Sequence, residues 1–175
     1  MSEHAHEGAG EGIDFAELYE KYADDVLRVS YFYLGDRVRA EDVTQDVFVR
    51  LMTYAPRIEK GHEKAWLLKV ALNRCRDLWR SAWIKRVVLG SPAFELFPAP
   101  DDMDAGLENT ELMEAVHRLP PVFREVVLLH YYQGLGIAEI AGALNLPEGT
   151  VSSRLSRART KLETMLKGDG FSEEP

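Results

Sequence analysis

The most constraining feature of the chain lies near its C-terminus, in residues 147–166, PEGTVSSRLSRARTKLETML. On a 3.6-residue period Val151, Leu155, Ala158, Leu162 and Met165 share one side, and Ser153, Ser156, Arg157 and Thr160 share the other. A helix with this pattern packs through one face and offers the other. The offered face carries short hydroxyls and cations, with no acid between Thr150 and Lys161, which suits phosphates and base edges. Immediately upstream, LGIAEIAGALNL places Ile137, Ile140, Ala141 and Leu144 on a second apolar stripe that ends at the turn residues Asn145 and Pro147. Two short helices about a tight turn, the second basic, predict a helix-turn-helix whose recognition helix begins near Glu148.

A nucleic-acid partner has to be reconciled with a net charge of −8 over 175 residues. The charge is segregated. Residues 1–50 sum to −7, residues 55–90 to +6, residues 91–117 to −7 and residues 147–167 to +3. Two separate basic blocks imply two contacts with a polyanion, and the acidic blocks imply either solvated faces or a basic protein partner. No apolar run approaches the roughly 20 residues needed to cross a bilayer. The start, MSEHAHEGAGEG, is acidic and Gly-rich where a signal peptide is basic and then apolar, so a cytoplasmic protein is expected. The single Cys75 allows neither an internal disulfide nor a cysteine-based zinc site, and it reads as a small buried apolar residue.

Residues 1–13 read as a disordered tail. Asp14 then caps a helix whose Phe15, Leu18, Tyr22 and Val26 recur at helical spacing and which ends at Gly35. A second helix, AEDVTQDVFVRLM, buries Val43, Val47 and Leu51, stops at Pro56, and leaves Asp42, Gln45 and Asp46 on its opposite side with Glu41 nearby. Acids at this spacing could serve a metal or a general acid/base pair, but no His or Cys lies within that turn and Arg50 stands at i+4 from Asp46. A solvated face and a docking face for a basic partner are the other two readings. Residues 57–64 read as an exposed loop. In the following helix, KAWLLKVALNRCRDLWRSAW, a stripe of Leu68, Ala71, Leu72, Cys75, Leu78 and Trp79 faces inward, while Lys69, Asn73, Arg76 and Arg80 point outward together. Trp66 falls near the outward face. An aromatic ring beside cations fits unpaired bases that stack on the ring while the cations hold the backbone; the competing reading has the preceding helix cover Trp66.

Residues 90–109, GSPAFELFPAPDDMDAGLEN, combine three prolines, two glycines and a run of acids, and read as a flexible acidic linker. A structureless span of about 20 residues makes sense if the domains it joins engage separated sites. The second domain opens near Thr110 with ELMEAVHRL, breaks at Pro120 and Pro121, and continues as VFREVVLLHYYQ to Gly134, with Pro121 as first helical residue. Val122, Phe123, Val126, Val127 and Leu129 are expected in its core, and His117 and His130 on helix surfaces. The sequence shows no Gly-rich phosphate loop and no Ser, His and Asp arrangement, and its His-x-His, His4 and His6, falls in the tail as at most an adventitious metal site, so neither an enzyme nor a cofactor is expected. The predicted fold is all-α, with two small helical domains at 14–84 and 110–167, joined by a linker at 85–109 and followed by a tail at 168–175.

These stretches together resemble the extracytoplasmic-function (ECF, group 4) branch of the bacterial sigma-70 family. AEDVTQDVFVRLM is similar to region 2.2, KAWLLKVALNRCRDLWR to regions 2.3 and 2.4, and LPPVFREVVLLHYYQGLGIAEIAGALNLPEGTVSSRLSRARTKL to region 4. The resemblance implies a promoter-specificity subunit that performs no covalent chemistry. Glu41, Asp42, Gln45 and Asp46 match the surface that binds the β′ clamp helices of core RNA polymerase. Lys64, Trp66, Lys69, Asn73, Arg76 and Arg80 match the part that meets the −10 element, and the 57–64 loop the pocket for a flipped −10 base. Trp66 takes the place of one of two adjacent tryptophans that primary sigma factors use in melting; its neighbour is Ala65. Ser152, Ser153, Arg154, Ser156, Arg157 and Arg159 match the face that reads the −35 element. Gly136 stands where many relatives carry a capping Ser or Thr. The acidic linker corresponds to a segment threaded through the RNA-exit path, for which an ordinary solvated tether is the alternative. The implied partners are core RNA polymerase (β′ clamp helices and β flap), promoter DNA and an anti-sigma factor, with the chain a monomer when free or 1:1 with the anti-sigma factor. A polymerase-independent helix-turn-helix regulator is the rival reading.

Overall fold

The computed structural model describes residues 13–54, 57–89 and 110–168. The expectations for the N-terminal tail up to residue 12, for Pro56 as a helix stop, for the linker over 90–109 and for residues 169–175 lie outside the described residues. Every described element is helical, as the periodicity predicts. Helix α1 (Phe15–Leu34) begins where the Asp14 carboxylate accepts the Glu17 N–H at 3.1 Å. It stops at Gly35, which takes a left-handed φ of 68° and returns its N–H to the Tyr31 carbonyl at 2.7 Å. Helix α2 (Arg37–Tyr54) begins three residues before the expected Ala40, because the Asp36 carboxylate caps it by accepting the Arg39 N–H at 3.2 Å; such a cap stabilises by about 1 kcal/mol. Helix α3 (Glu63–Leu89) continues five residues into the segment read as linker.

These three helices close on one another through Val26, Val29, Val43, Val47, Leu51, Leu67, Leu68, Leu72 and Cys75, all buried. Each fully buried aliphatic side chain contributes about 1.5–3 kcal/mol, and Phe48 adds edge contacts to Phe15 and Tyr19 with centroids 6.1 and 4.9 Å away. Burial pushes the Cys75 thiol up to about 12, so at neutral pH it is the inert apolar residue expected.

The second unit comprises α4 (Thr110–Arg118), α5 (Pro121–Val127), α6 (Ile137–Leu144) and α7 (Glu148–Gly168). The run after Pro121 is not one regular helix. It widens into a π turn over Leu128–Tyr132, where the Gln133 N–H reaches the Leu128 carbonyl at 3.1 Å. Helix α6 starts at Gly136 with no side-chain cap and ends at Asn145 in the left-handed region (φ 55°), a conformation Asn tolerates. On α7, Val151, Leu155, Ala158 and Leu162 are buried, as its stripe predicts.

Two expected core residues are exposed. Val122 is 42% exposed and Ile137 36%, whereas Arg124 and Glu125 retain only 5% and 2% exposure. Helix α5 has neighbours on two sides, α7 within its own unit and α1 of the first unit; turning Arg124 and Glu125 toward the first unit leaves Val122 on the open side. Ile137 occupies the first turn of α6, and Ile140, Ala141 and Ala143 farther along reach the core instead.

The linker's length left the arrangement of the two domains in the free chain open; in the structure the two units share one continuous core. Arg124 donates through Nη1 to the Tyr33 carbonyl at 2.8 Å, and through Nη2 to the carbonyls of Leu119 (2.9 Å) and His117. Phe32 and Tyr132 meet across the boundary at 5.7 Å. His130, expected on the surface, is half-buried with Nδ1 2.8 Å from the Leu135 carbonyl. His117 is also half-buried. Burial, joined by the Arg124 cation and partly offset by the Leu34 carbonyl, lowers its pKa to about 4. An unfolded chain binds a proton at His117 near pH 6.5 that the folded chain refuses until about pH 4. Stability from this site is therefore complete above pH 6.5 and falls as pH drops through that window, by up to about 3 kcal/mol. Urea midpoints measured at pH 7.5 and pH 5 should show the loss, and His117→Gln should flatten that part of the slope.

Candidate nucleic-acid interface

The recognition helix offers an open face. Ser152, Ser153, Ser156, Arg157 and Thr160 are exposed, and Arg154 is half-buried on its flank beside buried Ala158. Thr160 donates back to the Ser156 backbone carbonyl at 3.2 Å, so its hydroxyl is engaged within the helix. Arg159 is exposed but lies toward the other flank, at the rim of an apolar groove of about 470 Å³ lined by Leu112, Val116, Val127, Tyr131, Tyr132 and Leu162. The sequence placed Arg159 on the flank of the outward face, suited to phosphates; the fold also gives it to this groove. The groove itself went unread, because its walls come from α4, α5, the π turn and α7, which no single periodicity brings together.

On α3, Asn73 and Arg80 are exposed, and Lys64, Trp66, Lys69 and Arg76 are half-buried. Trp66 packs partly against the core that the two units share, so its ring is divided between core and surface. Two cations of this face are already engaged by the second unit. Arg76 donates through Nε and, at 2.9 Å, through Nη2 to both carboxylate oxygens of Glu125, and through Nη1 to Asn73 Oδ1 at 3.2 Å. Lys64 Nζ donates to the Gln133 carbonyl at 3.0 Å and lies 4.0 Å from Asp25. The Glu125 carboxylate is the main cause that raises the Arg76 pKa further, so its charge is permanent. Arg124, next in sequence, has its pKa lowered by burial, with Tyr33 and Glu125 acting in opposition. Neither Arg124 nor Glu125 was singled out from the sequence; adjacent opposite charges within an apolar run are the signal that could have found them.

At the first unit's other end, Tyr22, Ile13, Leu18 and Lys21 of the α1 end face Ile58, Lys60 and Gly61 of the loop across a cleft of about 580 Å³. This loop runs over 57–62, since Lys64 is already in α3. On α2, Glu41, Asp42 and Gln45 are exposed and Asp46 is half-buried. The face is acidic but partly self-neutralised: Glu41 pairs with Arg37 at 3.0 Å, and Asp46 is shared between Arg50 at 3.1 Å and Arg74 of α3 at 3.4 Å. Among the described residues no three His, Cys, Asp or Glu side chains converge as metal ligands do, and no helix is long and apolar enough to cross a membrane.

Comparison with known proteins agrees with this geometry. Family profiles described as Sigma-70 region 2 and Sigma-70, region 4 match residues 18–84 and 109–162. The chain is 34% identical over 164 residues to the ECF RNA polymerase sigma factor SigL of Mycobacterium tuberculosis, covering 91% of this chain and 92% of that protein. It is 34% identical over 171 residues to the ECF RNA polymerase sigma factor BldN of Streptomyces coelicolor, covering 92% of this chain, and it spans 63% of BldN's length. It likewise spans 60% of the length of SigE of Mycolicibacterium smegmatis. In fold it is similar to the sigma factor RpoE solved in complex with the anti-sigma factor NepR from Bartonella quintana, with a TM-score of 0.71, 24% identity, and coverage of 90% of this chain and 99% of that one. With two capped helical units, an exposed recognition helix, and both family regions present in order, the chain belongs to the ECF sigma factors of the sigma-70 family.

Proposed function

We propose that this chain binds core RNA polymerase and directs it to promoters, with the second unit reading the −35 element as duplex and the first capturing the −10 element as it opens. The observation that carries the reading is the presence on one chain of three distinct faces. These are an exposed acidic face on α2, a cationic face with a half-exposed tryptophan on α3, and a hydroxyl and arginine face on α7. In this reading Glu41, Asp42, Gln45 and Asp46 meet the basic β′ clamp helices. Lys64, Trp66, Lys69, Asn73, Arg76 and Arg80 hold the −10 strand, with the cleft beside Tyr22 and Ile58 receiving an extruded base. Extrusion costs a few kcal/mol, which stacking and cation contacts offset. Ser152, Ser153, Arg154, Ser156, Arg157 and Arg159 engage the −35 major groove and its phosphates, and the apolar groove beside Leu112 and Val116 receives the β flap. The chain supplies recognition and no covalent chemistry, acts in the cytoplasm, and is held in check by an anti-sigma factor; the solved complex of the sigma factor RpoE with the anti-sigma factor NepR supports that last reading.

Transcription in vitro with core polymerase over a promoter library tests the whole reading: specific initiation dependent on the chain is expected, and its absence overturns it. Exchanging Asp42→Arg together with Asp46→Arg should abolish co-elution with core polymerase; because the Asp46 exchange also removes the partner of Arg50 and Arg74, the helical signal is measured alongside as the control for folding, and a polymerase-independent regulator would be indifferent to the change. Arg157→Ala should weaken −35 binding and relax its base preference by about 1–3 kcal/mol, because a guanidinium aimed at guanine discriminates by that amount. Arg154→Ala should weaken binding evenly across sequences. Equal loss of discrimination in both, measured by competition among duplex variants, would contradict the division of labour.

A further inference from the structure

The α3 face proposed to hold the −10 strand is not free in this structure. Arg76 sits at its centre with Asn73, and the fork of its guanidinium is filled by both oxygens of Glu125, a residue of the other unit that is 2% exposed. A guanidinium fork matches a carboxylate and a phosphate equally well. Glu125 therefore occupies the position and supplies the charge that a strand's phosphate would bring. Three further contacts hold it there. Arg124 reaches across to the Tyr33 carbonyl at 2.8 Å, Tyr132 meets Phe32 at 5.7 Å, and the Gln133 carbonyl takes Lys64, a second cation of the same face, at 3.0 Å.

We propose that Glu125 is an internal stand-in for DNA phosphate, closing the second unit over the α3 face so that the free chain binds single-stranded promoter DNA weakly until the units separate. The proposal rests on the reading of α3 as the −10 surface. Its logic is competitive. Closure satisfies Arg76 and Lys64 within the chain; separation returns Glu125 and Arg124 to water and frees both cations for DNA. A partner that holds the units apart thereby raises DNA affinity with no new contact to DNA, because apparent affinity scales with the fraction of molecules that are open.

Spin labels at Asp77→Cys and Glu163→Cys, both exposed positions on α3 and α7, report closure in the full chain, the native Cys75 being fully buried. One narrow distance is expected without a further substitution; a broad distribution there overturns the proposal outright. Glu125→Gln keeps the shape and removes the charge. It should lengthen the distance and tighten binding of a fluorescein-labelled random-sequence single strand by about tenfold, the gain when an open fraction of about a tenth approaches unity. Glu114→Gln makes the same change of net charge at an exposed site on α4 and should alter affinity less than twofold. If Glu125→Gln does not fold, Tyr132→Ala, which removes the Phe32 contact and leaves Arg76 intact, should give the same two shifts. Unchanged distance and affinity in a folded variant sink the proposal while leaving polymerase-directed initiation unaffected. A longer distance with no gain in DNA binding removes the phosphate role of Glu125 together with the reading of α3.

Discussion

The guanidinium of Arg124 is the interaction on which the rest of this arrangement depends. A buried cation is tolerated when most of its donors find acceptors; here Nη1 and Nη2 find the carbonyls of His117 and Leu119, at the break between α4 and α5, and that of Tyr33 in the first unit, and Nε alone is left without a partner. The group sits 5.2 Å from the Tyr33 ring, whose hydroxyl burial holds in its neutral form. One side chain thus fixes the corner between two helices of its own unit and ties that corner to α1. Glu125 beside it does the same for α3 through Arg76. Because consecutive residues of α5 carry both contacts, the orientation of α5 about its axis determines which face of the second unit meets the first, and hence which cations of α3 are covered.

Much of the secondary structure was legible because its causes are local. Asp14 and Gly35 bracket α1 by cap chemistry, and the α7 stripe from Val151 to Leu162 announces its buried side without reference to anything else. Asp36 escaped notice as a cap because the apolar pattern of α2 starts later than its backbone does. Errors concentrate where an element has two neighbours. Val122 fits the apolar pattern of α5 yet faces out, and the Arg124 and Glu125 pair breaks that pattern yet faces in, since what α5 packs against is decided by a unit distant in sequence. His117 misleads for the same reason: its environment is made by Leu34 and Arg124.

The candidate surfaces divide in the same way. Which residue types share a face of α2, α3 or α7 follows from helical period, and the exposed positions of Asp42, Gln45, Asn73, Arg80, Ser153 and Arg157 agree with it. What each face is already bonded to does not follow. Asp46 is shared by two arginines, one of them from α3, and Arg76 and Lys64 have partners in the other half of the chain. Charge counting along the sequence sees cations and acids in separate blocks; the fold brings several of them together and reduces the field each face presents to solvent.

The π turn at Leu128–Tyr132 gives chain length a meaning of its own. Its i to i+5 bond between Leu128 and Gln133 accommodates one residue more than an α-helix would over the same span. Each residue of an α-helix turns the chain by about 100°, so losing that extra residue would rotate everything after it relative to α5 with no side chain altered. Leu128 and Leu129 would no longer both enter the core, and Tyr132 would leave Phe32. Helices α6 and α7 would keep their internal structure while pointing elsewhere. Here a change in number acts in a way that no exchange of side chains does: the segment works as a spacer measured in residues, and it sets the aim of helix α7.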